Sequence, residues 1–487
     1  MTRIARIAQP WNHYTGAYAA PTSLLVRLKL GEVPDHIPTA MDVRQGARTR
    51  AERTGHGAVD RVSGAFGGSV RVSRLHSAAA ALGRPGARNK GYSDLEVLTG
   101  ISRMLRLDVE PGTHVGSMAI SLRQLDVVES VTPNYIVAVG LDRYEPAFGG
   151  LGGDDEEDDD GWAPREMIGA QRALAHEPGD PAVIVGVVDS GVNPAHEEFG
   201  WRLRSGFDTV QLGHGEMAGG IALLGDNAGA DVDPSDRFVG HGSGCAAIIG
   251  AAGERMPPGL AGDCQILPIR SLGAALFPGK QQAVGVGSVS DLDIGMVMAV
   301  QLGAKVVNLS FGTDDEAIEP GAPKPHAEAV AYATARGCTL VAAAGNSGDA
   351  RTYWPAACPE VIAVGSVGLD AAASGFSTSG DHVALCAPGE RIRTAAVDGY
   401  QRATGTSFAA PFAAAAAALL HSRAQRRSAA LAPETVKQLL IESARPHRPD
   451  TPEGNGAGIL DAARALALLD QALDADPSTE FGGPDDG

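Results

Sequence analysis

Four short stretches of this chain carry side chains that together could transfer an acyl group. In Val187-Val-Asp-Ser-Gly-Val192 an apolar run ends in Asp189 and a glycine turn. In Gly240-His-Gly-Ser-Gly-Cys245, His241 stands just ahead of an apolar helical stretch. In Gly405-Thr-Ser-Phe-Ala-Ala-Pro411, Ser407 opens an alanine-rich helix, and Pro411 is tolerable because the first helical turn has no intrahelical partners for its N–H groups. In Leu340-Val-Ala-Ala-Ala-Gly-Asn-Ser-Gly348 an apolar strand runs into Asn346. A serine hydroxyl is a weak nucleophile until a base takes its proton, which a neutral histidine can do near neutral pH. A buried carboxylate is then needed to hold the imidazole in the right tautomer and to stabilise its charged form. A helix N-terminus at the serine and an asparagine amide both supply donors where oxyanion charge develops.

Singly, each stretch has an ordinary structural reading. An aspartate after a strand usually caps or turns the chain. A histidine among glycines is usually structural. Gly-Thr-Ser ahead of a helix is an N-cap pattern, and Asn-Ser-Gly is a turn. The argument for chemistry lies in the four occurring together, in the order Asp, His, Asn, Ser, each at a carboxyl strand end or the helix beyond it.

The elements that must position them alternate. Apolar, β-branched runs at Val183–Val188, Ile266–Ile269, Val306–Leu309, Thr339–Ala342 and Val361–Val364 read as strands buried on both faces. Helical stretches at Cys245–Ala252, Val289–Leu302, His326–Ala335 and Ser407–Leu420 accompany them. Such alternation predicts a parallel sheet with helices on both faces, and active groups gather beyond the carboxyl ends of such strands. The segment Ser310-Phe311-Gly312, after one of these strands, reads as exposed backbone that could pair with an extended peptide.

Charge divides the chain in two. Of 487 residues, 40 are basic and 58 acidic, a net −18 that argues against nucleic-acid or membrane partners. Residues 1–150 carry +5 and the remainder −23. Between them, residues 149–161 join glycines to seven consecutive acids, which self-repel and read as an exposed linker. Residues 477–487 read as a disordered acidic tail. Ahead of the linker, strands at Ser23–Leu30, Ile101–Val109 and Val127–Val139 and a helix at Met118–Leu125 outline a small α+β unit. Residues 44–90, rich in Arg, Gly and Ala, read as a mobile insertion. The expected domains are therefore 1–145, with the basic insertion at about 44–90, a linker at 146–162, a larger α/β domain at 163–472, and the tail at 473–487. The longest apolar run, Ala409–Leu420, falls short of the roughly twenty residues of a membrane span. With no secretory signal at the N-terminus, a cytoplasmic location is expected. Cys245, Cys264, Cys338, Cys358 and Cys386 are widely spaced and read as buried, reduced thiols.

At this point the sequence resembles the subtilisin-like serine proteases (subtilases, peptidase family S8), over roughly residues 162–470. The serine stretch matches the family pattern throughout, the aspartate stretch matches through Asn193-Pro-Ala-His196, and the histidine stretch departs from it only at Ala247. The resemblance implies a subtilisin-like α/β fold and a serine endopeptidase that needs no cofactor. It implies Asp189, His241 and Ser407 as the triad and Asn346 as oxyanion donor. It also implies that Ser310, Phe311 and Gly312, with Ala343, Ala344 and Gly345, border the first specificity pocket. The N-terminal unit resembles the family's propeptide, an intramolecular inhibitor whose last strand leads into the cleft, so a self-inhibited zymogen acting on protein or peptide substrates is expected. No metal is expected at Gly253–Gly259, where many subtilases bind calcium, because that loop holds one carboxylate. The acids of Asp226–Asp236 leave calcium elsewhere open. His196, Asp263, Asp291, Asp293 and Cys245 read as packing, turn or helix-start residues. Two alternatives stand beside the peptidase: a non-catalytic peptide-binding module with a plugged cleft, and a peptide ligase or macrocyclase using the same triad.

Overall fold

The computed structural model describes residues 19–33, 36–44, 46–82, 91–139, 161–212, 216–217, 221–227, 229, 231–318 and 322–475. The expected linker at 146–162 and tail at 473–487 lie almost wholly outside these residues.

A seven-stranded sheet carries the candidate site. Its order is Val383–Pro388, Ile362–Val367, Thr339–Ala343, Val306–Leu309, Ile184–Asp189, Gln265–Arg270 and Phe207–Asp208, with every neighbouring pair parallel. Successive side chains on a strand point to opposite faces, and here both faces are apolar. Val185, Val187, Val341 and Ala343 join the core under the helices His241–Gly250 and Thr406–Arg426. Ile184, Val188, Leu340 and Ala342 join the core under the helices Val289–Gln301 and Ala327–Ala335. The helix Thr406–Arg426 presents buried alanines from Ala413 to Ala418, and such small side chains let it lie close to the sheet. The five expected strands and four expected helices are present, with ends moved by a few residues.

After Ile184–Asp189 the chain passes to Gln265–Arg270 on one side and then to Val306–Leu309 on the other. This is a topological switch point, where neighbouring connections leave in opposite directions and open a crevice. Asp189 lies at its edge.

A second sheet pairs antiparallel throughout. It runs Val70–Arg74, Met104–Val109, Ala19–Leu28, Val128–Val139, Val284–Ser288, Gly273–Leu276, Ile221–Leu224 and Glu216–Met217. Four strands from the N-terminal part thus continue directly into strands of the larger part. The joint is Ile136 to Val139 against Ser288 to Gly285. The cores are continuous as well, since Leu24, Leu107 and Val131 cluster with Val289, Ile294 and Met298.

One expectation needs correction. The basic stretch 44–90 is not a structureless insertion where it is described. It holds the helix Gly57–Gly67 and the strand Val70–Arg74, which pairs with Met104–Val109. Val59 and Val72 are fully buried in the N-terminal core, so few but well-placed apolar residues suffice. Val284–Ser288 is a strand edge that accepts an extended segment, and the sequence reading missed it. The side chains of Ser310 and Phe311 are buried. The five cysteines are buried and unbridged, and no described helix is long and apolar enough to cross a membrane.

Candidate active site

Asp189 ends the central strand with its side chain fully buried. His241 is the first residue of its helix, and its Nδ1 lies 2.7 Å from Asp189 Oδ1. The approach is close enough that a Cβ on Gly242 would fall 2.2 Å from the Gly191 carbonyl oxygen and 3.1 Å from Asp189 Cβ. The glycine after His241 is therefore a steric requirement of the pair.

The loop ahead of His241 is held by groups the sequence reading did not single out. Ser190 Oγ donates to Asp236 Oδ2 (2.7 Å) and accepts from the Gly242 N–H (2.9 Å). Asp236 also accepts the N–H groups of Phe238, Val239 and Gly240. Burial raises the Asp236 carboxyl above its ordinary value, against the opposing pull of these donors. Asp236 is thus committed to shaping the turn into His241. An aspartate that accepts N–H groups two to four residues further on makes an Asx turn.

Ser407 is the second residue of the helix Thr406–Arg426, entered through Gly405. Its Oγ donates to the Ser310 carbonyl oxygen at 3.3 Å. Asn346 stands beside this turn. Its Oδ1 accepts from the Thr406 N–H (2.8 Å) and hydroxyl (2.9 Å), which fixes the plane of the amide next to Gly405. Gly345 N–H donates to Thr406 Oγ1 (3.2 Å). The structure thus pairs Asp189 with His241 and sets Asn346 against the turn into Ser407, and Cys245 lies beside both His241 Nδ1 and the Ser407 carbonyl oxygen.

The residues expected to border a pocket divide. Ser310 Oγ donates to the Ser407 carbonyl oxygen (2.8 Å), tying the strand end to the helix start. The Phe311 ring is buried and packs against the His326 ring at 5.6 Å, so only its backbone borders the cleft. Ala343 and Ala344 are buried, and Gly312 and Gly345 face Tyr353.

Burial works against the charged form of His241, yet its pKa is raised well above 6.5. The Asp189 carboxylate at 2.7 Å outweighs the burial. Cys245 Sγ lies 4.0 Å from His241 Nδ1 and 3.3 Å from the Ser407 carbonyl oxygen. Burial raises that thiol, so it stays neutral, and the attraction is that of Asp189. Asp189, His241 and Cys245 bring possible ligand atoms within 4.8 Å of one another, but the His241 nitrogen facing this group is engaged by the carboxylate.

Residues read as structural are so placed. His196 Nε2 meets the Gly399 carbonyl oxygen at 2.7 Å, and its ring packs edge-on to Tyr400. Asp263 pairs with Arg202, and Asp293 pairs with the buried His326. The loop at Gly253–Gly259 is held from within, because the buried Glu198 carboxylate accepts the N–H groups of Gly253, Glu254 and Arg255. Burial would raise the Glu198 pKa, but these donors and Tyr400 bring it below its ordinary value.

Comparison with known proteins gives the family. The sequence profile of the subtilase family matches residues 180–458. A thermophilic serine proteinase of Bacillus sp. (strain AK1) is 33% identical over 242 residues, 49% of this chain and 52% of its own. Alkaline serine exoprotease A of Vibrio alginolyticus is 32% identical over 303 residues, 61% of this chain and 47% of its own. The chain thus spans about half the length of these curated relatives. Among solved structures, a protease from Pseudoalteromonas arctica PAMC 21717 superposes with a TM-score of 0.53 at 24% identity, covering 64% of this chain and 97% of its own, a likeness of fold.

Proposed function

The chain belongs to the subtilase family, and from that premise we propose that it is a serine endopeptidase made as a self-inhibited zymogen. The observation that carries this reading is the buried Asp189–His241 pair beside a serine at a helix N-terminus. Ser407 Oγ attacks the substrate carbonyl carbon while His241 Nε2 takes its proton. Asp189, on Nδ1, keeps that tautomer and stabilises the imidazolium. The developing oxyanion is met by the Asn346 amide and the helix-start N–H groups. The proton then passes to the leaving amine, and water releases the acyl group from Ser407 by the same route. Labelling of Ser407 by an active-serine phosphonate, together with hydrolysis of a peptide pool, tests the reading. A chain that resists the probe would be a peptide-binding module. Products of unchanged mass, lacking the elements of water, would mark a ligase or macrocyclase.

The raised pKa of His241 sets the pH dependence. Its neutral form is the base, so kcat/KM should rise with pH through a midpoint above 6.5, higher than an unperturbed imidazole would give. A profile already flat at pH 6 would remove His241 from that role.

The N-terminal part supports the zymogen. Its strand Val128–Val139 occupies the Val284–Ser288 edge, where an extended substrate would pair. Asn134 anchors it at the start of the helix Val289–Gln301. Its Oδ1 accepts the Ser290 N–H and its Nδ2 donates to Ser290 Oγ, both at 3.0 Å and fully buried. Arg106 adds a bond to Ser290 Oγ (3.2 Å) and faces Asp291. The opposite charges of the two parts strengthen the attachment. Asn134→Ala would leave the buried Ser290 N–H without this acceptor, costing about 2 kcal/mol. Activity of the uncut full-length chain should then rise on the order of 30-fold. Unchanged activity would mean that this contact does not hold the inhibitor. Self-cleavage of the zymogen would fall between about Val139 and Trp162, mostly outside the described residues.

A further inference from the structure

One side chain stands between the two segments that flank the reacting serine. The segment 310–312 leaves the end of Val306–Leu309, and its Ser310 carbonyl oxygen accepts from Ser407 Oγ. The segment 343–345 ends the neighbouring parallel strand Thr339–Ala343 and leads straight into Asn346, beside Gly405. The acyl carbonyl of a substrate must lie between Ser407 Oγ and the Asn346 amide. The family resemblance makes these two segments the borders of the pocket for the side chain of that acyl residue.

Tyr353 is already there. A Cβ built on Gly312 would lie 3.0 Å from Tyr353 Cβ and 3.4 Å from its Cδ1. A Cβ built on Gly345 would lie 2.4 Å from Tyr353 Cδ2 and 2.5 Å from its Cε2. One edge of the ring faces one segment and the opposite edge faces the other, so the ring bridges the gap. The two glycines make room for it, and Gly345 is further bound to be glycine by its φ of +116°.

The ring is held in place by its surroundings. Tyr353–Trp354 pairs antiparallel with Thr313–Asp314, directly after Gly312. Trp354 Nε1 donates to Asp315 Oδ1 (2.7 Å), and the Ala357 N–H donates to the Tyr353 carbonyl oxygen (2.9 Å).

We propose that Tyr353 sets the specificity of this enzyme by filling the slot between Gly312 and Gly345, so that only a small residue, glycine, alanine or serine, is accepted on the acyl side of the bond cut. The proposal rests on the peptidase reading above. Two close-packed side chains cannot share one volume, and a large acyl-side residue has to displace the ring.

The test uses the full-length chain after it has matured itself, with peptides differing only at the acyl-side residue. Cleavage after alanine should exceed cleavage after phenylalanine on the order of 100-fold in kcat/KM. Tyr353→Gly and Tyr353→Ala should erase most of that ratio by raising cleavage after phenylalanine and leucine. The chain supplies a second readout. Between Val139 and Trp162 it offers Gly140, Ala147 and Gly149 as well as Leu141, Tyr144, Phe148 and Leu151. The new N-terminus made by self-cleavage should follow a glycine or alanine. A wild-type enzyme that labels with the phosphonate yet cuts equally well after phenylalanine overturns the proposal alone. So do folded Tyr353 variants with the wild-type ratio. If neither variant folds, the wild-type ratio and the mature N-terminus decide. A chain that neither labels nor cleaves overturns the peptidase reading, and this proposal with it.

Discussion

Full-length Ser407→Ala should remain a single chain and hydrolyse a peptide pool on the order of 10⁶-fold more slowly than wild type, the scale of nucleophile removal in subtilisin. The side chain lost is one hydroxyl, bonded to the Ser310 carbonyl oxygen at the start of a long buried helix. Stability should therefore change by at most about 1 kcal/mol, and the variant should fold with its N-terminal strand still on the Val284–Ser288 edge. Wild type incubated alongside should yield two fragments. Intact mass and N-terminal sequencing read both outcomes. Wild-type rates in the variant would discard the nucleophile assignment. A wild-type chain that stays whole while cleaving peptides at full rate would instead make the N-terminal part a recruiting module rather than an inhibitor. The two results bear on different residues, so one experiment separates the triad from the zymogen.

Asn346→Ala should lower kcat by roughly 10²–10³, a magnitude known from the subtilisin oxyanion asparagine, with little change in KM. The asymmetry follows from what the amide meets. Its Oδ1 is engaged by the Thr406 N–H and hydroxyl, so the Nδ2 end is the part that can serve the reaction. Negative charge appears on the substrate oxygen only in the tetrahedral state, and a donor placed for that state accelerates the chemical step without tightening substrate binding. The substitution also takes an acceptor from Thr406, so the variant's melting temperature belongs beside its kinetics. A rise in KM with kcat unchanged would place Asn346 in ground-state binding.

Much of the larger part was legible because its elements announce themselves locally. Ile184–Asp189 is apolar on both faces and ends in a carboxylate and a glycine turn. The helix Thr406–Arg426 is nearly continuous alanine after a Gly-Thr-Ser start. The second sheet was not legible. Val284–Ser288 alternates valine with glycine, a pattern too short and too small in side chain to mark a strand. What makes it one is pairing with a neighbouring strand near 274 and with residues near 138, far away in the chain. The helix Gly57–Gly67 was missed for a similar reason. Its sequence holds three glycines among eleven residues, which weakens it as an isolated helix, and tertiary packing of Val59 decides it. Ser190 and Asp236 clamp the loop before His241 across 46 positions of sequence, a separation over which neither residue signals the other.

Which chemical groups are present, their order along the chain and the element types that end in them follow from the residues alone. Each of those depends on neighbours within a few residues: an apolar strand run, a glycine turn, a helix start. Tertiary structure decided how those groups behave. It moved His241 upward in pKa because a carboxylate 52 residues away sits against its ring nitrogen in a buried site. It made an edge strand from a glycine-rich segment by laying the N-terminal strand along it. It set a tyrosine between two glycines that lie 41 and 8 positions before it. Charge stabilisation, strand pairing and excluded volume all act through space, between atoms that the linear chain keeps apart.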